Sequence, residues 1–163
     1  MAKKLTIAFL VLAITLSTSV AMACTSVVLP PGSTVEGFSS VTHSADSGST
    51  PYEFFKVPAK NWQRGSMVDV LYIPQTTSGN QLHVVAGQPT GNKIPQVPHT
   101  YGYLTSSVFG YMNEKQVAIG ETTIGGRREL SNQNGYFDIT NLSMLAMERG
   151  ATAREAILVM GSL

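Results

Sequence analysis

The residue with the most chemistry to offer is Cys24, the only cysteine in the chain, which directly follows Ala21-Met22-Ala23. If the bond before it is cut, one residue carries two reactive groups. A thiol titrates near ~8.5 and a free α-amino group near ~7.7–8.0, so the amine can accept the thiol proton close to neutral pH. Such a residue is a nucleophile with its own base, as in N-terminal threonine catalysis. Two other readings compete. Cys24 can be an inert thiol after a leader, or the acylated anchor of a lipoprotein. Ala21 and Met22 match a lipoprotein signal poorly, since it favours a Leu-like residue three places before the cysteine and a small residue two before. Arg127 and Arg128 follow Gly125-Gly126. Either guanidinium could clamp a peptide carboxylate in bidentate fashion, or sit in solvent on a turn. His43, His83 and His99 lie far apart in sequence, and no His, Cys, Asp and Glu cluster has ligand spacing, so neither metal nor cofactor is expected.

The segment before Cys24 explains its placement. Lys3 and Lys4 form a basic start, Leu5 to Val20 is apolar apart from Thr and Ser, and Ala21 and Ala23 supply the small residues of a cleavage site. Residues 1–23 are therefore expected to be a signal peptide of bacterial type, and the protein periplasmic or secreted. An uncleaved anchor is the alternative, although the apolar run is short of the roughly 20 residues that span a bilayer. Loss of Lys3 and Lys4 leaves nine basic against ten acidic residues, a formal charge of −1. That balance offers no basic patch for nucleic acid or an anionic membrane surface. A single cysteine excludes an intramolecular disulfide. Residues 24–163 suffice for one core, so one domain or part of one is expected.

Several elements must position Cys24. Residues 25–29 and 37–46 read as a strand pair with Pro30-Pro31-Gly32 between them. Residues 51–58 read as a connection with Phe54 and Phe55 partly buried. Val68, Val70 and Tyr72 alternate through a strand at 67–73. The polar stretch 75–92 reads as a loop or surface hairpin, and the prolines of residues 94–101 demand extended chain. Residues 104–111 and 116–123 read as strands joined by a turn at 112–115. The spacing then predicts a helix over 140–149 with Leu142, Leu145 and Ala146 on one face and Gly150 as its stop. A second helix begins with Thr152 and Glu155 as a capping box. Strands followed by helices give an α+β class with a mostly antiparallel sheet. That second helix has barely begun when the sequence stops at Leu163, so the chain is expected to be the front part of a longer protein.

Ala-Cys-Thr at a processed start, Val-Thr-His-Ser-Ala-Asp-Ser at 41–47, KIPQVPHTY at 93–101, MNEKQVAIGETTIGGRREL at 112–130 and ATAREAI at 151–157 together resemble the C69 family of dipeptidases, which are N-terminal-nucleophile hydrolases. The resemblance covers Cys24 to Leu163 apart from the polar insertion. It implies a four-layer αββα sandwich, incomplete in this chain, and hydrolysis of dipeptides and other short peptides. It also implies site roles. Cys24 matches the nucleophile, Asp46 the carboxylate that holds the α-amino group, and Thr122 a donor near the oxyanion. Asn113 falls in the floor of the site, and with Arg127 it is expected to bind substrate. The distantly related bile-salt and penicillin amidases carry an arginine near the place of His43; this sequence has none there, so no role is transferred to His43. The function implied is an exported cysteine-type dipeptidase. The alternatives are a lipid-anchored binding domain acylated at Cys24, or a truncated peptidase fragment that is inactive alone. A homo-oligomer is left open.

Overall fold

The computed structural model describes residues 25–44, 54–73, 87–106, 110–122, 126–130, 132 and 134–163. The expected signal peptide, Cys24 and Asp46 lie outside the described residues. The described chain is α+β, with every strand pair antiparallel. β1 (Thr25–Leu29) pairs with β2 (Ser40–Ser44). A four-stranded sheet runs in the order β10 (Ala118–Gly120), β9 (Gly110–Asn113), β8 (Tyr103–Ser106), β3 (Phe54–Val57). β5 (Met67–Tyr72) pairs with β6 (Gln88–Pro95), and the two-residue strands β4 (Lys60–Asn61) and β7 (His99–Thr100) pair with each other. Helices α1 (Ile139–Arg149) and α2 (Ala153–Ser162) follow.

Three expectations change. Residues 54–57 form an edge strand instead of a connection, because Phe55 and Val57 turn inward while Phe54 and Lys56 stay exposed. The stretch 104–111 is two strands, with Tyr103 opposite Asn113 and Ser106 opposite Gly110. Its apolar run looks continuous in sequence because both strands send Tyr residues to the same core. Of the stretch 75–92, read as a loop or surface hairpin, residues 88–92 belong to β6 and pair antiparallel with β5, while residues 74–86 lie outside the described residues.

The core forms on one face of the four-stranded sheet. Tyr103 and Tyr111 pack there with Val117, Met144, Ala146, Met147 and Ala156, and with partly buried Val57, Ile119 and Met160. A second cluster joins Val70, Ile94 and Leu145. α1 is more deeply enclosed than a one-sided helix. Met144 and Met147 lie in the core, Leu142 is only half-buried, and Thr140, Asn141 and Ser143 are buried as well. The Asp138 carboxylate explains the polar face. It accepts from Asn141 N at 2.7 Å as N-cap and from Ile73 N at 2.8 Å, tying α1 to the end of β5. Gly150 ends α1 with an extended backbone (φ −94°). Glycine is required there by crowding, since a Cβ would lie 2.8 Å from Ala156 N. Thr152 caps α2 by accepting from Glu155 N, while the Glu155 carboxylate reaches back to Ala151 N. The capping box is thus displaced by one residue at its return bond.

One charge sits uneasily in this core. Burial raises the Glu148 carboxyl above its ordinary range, against the opposing pull of the Gln96 amide and the Arg149 guanidinium. The last turn of a helix is also an unfavourable place for an anion. A carboxyl with a raised folded pKa binds more protons in the folded state. Its stabilising effect is full below the unfolded value, near about 4.3, and is lost as pH rises through the folded value. Glu148→Gln is therefore expected to unfold at a higher temperature than wild type at pH 7 and to match it near pH 4. Thermal melts across that range read the difference.

Candidate functional site

The residues nearest the expected start of the mature chain form a small polar cluster. Ser26 and His43 face each other across the β1–β2 ladder, two positions beyond Cys24 in sequence. The Ser26 hydroxyl lies 2.9 Å from His43 Nδ1 and 2.7 Å from the Thr122 hydroxyl. Thr122 comes from the segment just after β10, 96 residues along the chain from Ser26. The same end of the hairpin is fastened by Thr25 N donating to Ser44 Oγ at 3.2 Å. Gly120 lies beside this cluster. A Cβ there would sit 3.4 Å from His43 Cβ, in contact with the ring's stem. Among the described residues His43 Nε2 is buried with no hydrogen-bond partner.

This cluster borders a cleft of about 460 Å³ between β2 and the sheet face opposite the helices. Val41 and His43 stand on one bank and Phe54 on the other, with Ser106, Gly110 and Gly120 between them. Small residues keep the floor low, so the cleft is wide enough for an extended di- or tripeptide. A second depression of about 520 Å³ continues along the same face past Leu104 and Met112 toward Lys56 and Glu114.

The expected site residues fare differently. Thr122 is at the cluster by the Ser26 contact. Arg127 is exposed and does not line the cleft. It precedes a short 3-10 turn at Arg128–Leu130, whose Leu130 N bonds the Arg127 carbonyl. Asn113 has a different occupation from the one expected of it. It is 4% exposed, and its side chain is saturated by backbone. The amide donates to Met147 O at 3.0 Å and Gly150 O at 2.8 Å, and its oxygen accepts from Lys115 N and Val117 N at 3.0 Å each. Both donors and both acceptor positions of an asparagine are then used. Asn113 therefore holds the end of α1 to the turn after β9, with nothing left for a substrate. Its place before a tight turn, where Asn side chains bond the backbone two residues on, is a signal that could have revealed this.

Ser26 was not anticipated, because hairpin register decides its neighbours and the ten residues between β1 and β2 leave register open in sequence. Among the described residues no three His, Cys, Asp or Glu side chains gather as a metal site. None of the described helices is long and apolar enough to cross a membrane. Comparison with protein-family models, with curated proteins and with solved structures returned no match.

Proposed function

We propose that this chain is an exported cysteine-type peptidase of the N-terminal-nucleophile kind, acting on dipeptides and other short peptides. The observation that carries the reading is the Ser26–Thr122 contact. It brings the hydroxyl of Thr122, from the segment just after β10, onto Ser26, two residues along the chain from the one cysteine, beside a peptide-sized cleft that His43 and Gly120 line. The reading requires Cys24 to continue β1 and so to share a face with Ser26. Similarity of the segments around 41–47, 93–101 and 112–130 to C69 dipeptidases points the same way. In that fold two sheets stack between two helical layers, and this sheet, with α1 and α2 on one face, would be one half of it.

In the proposed reaction the α-amino group of Cys24 takes the thiol proton, and Asp46 orients the amine. The thiolate adds to the scissile carbonyl. A donor near Thr122 steadies the oxyanion. The carbon–nitrogen bond then breaks as the α-ammonium returns its proton to the leaving amine, and a thioester remains. Water, deprotonated by the same amine, adds to the thioester, releases the acid and restores the thiol. Arg127 would meet a substrate carboxylate only if its exposed turn closes over the cleft. Asn113 has no part in the reaction.

Iodoacetamide tests this directly. The exported chain should have the intact mass of a polypeptide starting at Cys24, gain one alkyl group, and lose dipeptide hydrolysis in proportion to alkylation. A lipid-sized addition at Cys24 would sink the reading, because an acylated amine cannot be a base, and would favour the anchored binding domain. A second reading gives the nucleophile to Ser26, on the strength of its 2.9 Å contact with His43 Nδ1. Among the described residues nothing orients the other ring nitrogen, so this dyad lacks the third member such sites use. Hydrolysis that survives full alkylation of Cys24 but is lost in Ser26→Ala would select it.

A further inference from the structure

His43, Ser26 and Thr122 form an unbroken row of polar atoms. His43 Nδ1 lies 2.9 Å from the Ser26 hydroxyl, and that hydroxyl lies 2.7 Å from the Thr122 hydroxyl. Each hydroxyl has one hydrogen to give, and a neutral imidazole has one N–H and one bare nitrogen. The row can therefore run in two directions, and the tautomer of His43 selects between them. With the hydrogen on Nε2, Nδ1 accepts from Ser26 and Ser26 accepts from Thr122. With the hydrogen on Nδ1, Nδ1 donates to Ser26 and Ser26 donates to Thr122.

Burial separates the two. Among the described residues His43 Nε2 is buried without a partner. A buried N–H with no acceptor is rare in folded proteins, so the hydrogen belongs on Nδ1. Thr122 Oγ1 then receives a hydrogen bond and keeps its own hydrogen, for which the described residues offer no acceptor. We infer that His43 and Ser26 are positioning residues, which keep the Thr122 hydroxyl hydrogen free to be donated to the scissile carbonyl oxygen as it becomes an oxyanion. No proton is transferred along the row. It sets only where each hydrogen points, so the donor is in place before charge develops. The opposite direction would spend the Thr122 hydrogen on Ser26. It would also aim the Ser26 proton at a bare Nδ1, the arrangement of an activated serine. In the inferred direction Nδ1 cannot take that proton, and Ser26 is not the nucleophile. The role rests on the peptidase reading above, whereas the direction of the row does not.

Two measurements test it. Nitrogen-15 NMR of the exported, processed chain, labelled in its three histidines, reads the tautomer. Loss of signals in His43→Asn identifies those of His43. With the imidazole neutral, Nδ1 is expected to be protonated and Nε2 bare. A protonated Nε2 overturns the inference whatever the activity. The second measurement sets steady-state dipeptide hydrolysis beside the rate of Cys24 alkylation. Iodoacetamide is attacked by displacement, with no oxyanion, so alkylation reads the nucleophile without the donor. Ser26→Ala should lower kcat by about ten-fold or more, with KM and the alkylation rate within about two-fold of wild type. His43→Asn, whose amide can donate from the place of Nδ1, should keep more turnover than His43→Leu. Full turnover in Ser26→Ala, or hydrolysis and alkylation lost in equal measure, overturns the inference and leaves the peptidase reading standing. A wild-type chain that hydrolyses no peptide removes that reading and the role with it, even with the expected tautomer.

Discussion

Cys24→Ala is expected to abolish dipeptide hydrolysis, with turnover lowered by three orders of magnitude or more. A nucleophile deletion has this scale because the covalent step has no substitute, and what remains comes from binding and oxyanion donors alone. Substrate affinity should be little changed, since the groups that line the cleft at Val41, His43 and Phe54 are untouched. Cys24→Ser sharpens the result. It keeps the α-amine and an attacking atom but exchanges the thiol for a weaker nucleophile, so residual turnover above Cys24→Ala would assign the base to the amine. The assay is steady-state hydrolysis of a dipeptide panel by the exported, processed chain, with equilibrium binding of an uncleaved dipeptide analogue alongside. Turnover retained in Cys24→Ala at a tenth of wild type or better would end the proposal.

The largest stability effect is expected at Asn113→Ala. The substitution leaves two buried carbonyls and two backbone N–H groups without partners. The carbonyl of Met147 belongs to the last turn of α1, where no intrahelical donor remains. Neighbouring carbonyls there are served by Gly150 N and Tyr101 N, so Asn113 completes the capping of this helix end. At about 1 kcal/mol net for each bond, with an added penalty for groups left dry, the loss should be about 3–5 kcal/mol. For a domain whose total stability is roughly 5–15 kcal/mol, the melting temperature should fall by about 10 °C. Asn113→Asp should fare no better. It keeps the acceptor oxygen but turns a second anionic oxygen on the two carbonyls. Arg127→Ala, on the exposed turn, should stay within about 0.5 kcal/mol of wild type. Chemical denaturation of the three variants gives the ranking, and a mild Asn113→Ala would mean that water replaces the amide.

Much of the frame was legible in the residues. The Thr25–Leu29 strand, the alternation of Val68 and Val70, the proline-held extended chain before Tyr101, the Gly150 stop and the Thr152 cap each follow from local chemistry that needs no distant partner. Cys24 stands out in the sequence by being alone and by following Ala21-Met22-Ala23, and it lies outside the described residues. The failures share a cause. Phe54–Val57 became a strand only because β8 was there to pair with it. The run 104–111 split because its two halves fold onto each other, and a hydrophobic pattern does not show where a chain reverses when both halves face one core.

The composition of the site divides along the same line. Sequence alone determined that a lone thiol at Cys24 is followed two residues later by the Ser26 hydroxyl and that His43 lies in the next strand segment, because covalent order and strand period are local properties. Only the tertiary structure decided that Thr122 reaches Ser26 and that Asn113 serves a helix end. Tertiary packing likewise left Phe54, Leu104 and Met112 exposed while burying Tyr103 and Tyr111. Hydrogen-bond partners 34, 37 and 96 residues apart are set by strand register and helix docking. Those depend on the summed burial of the whole core, which no short stretch of residues encodes.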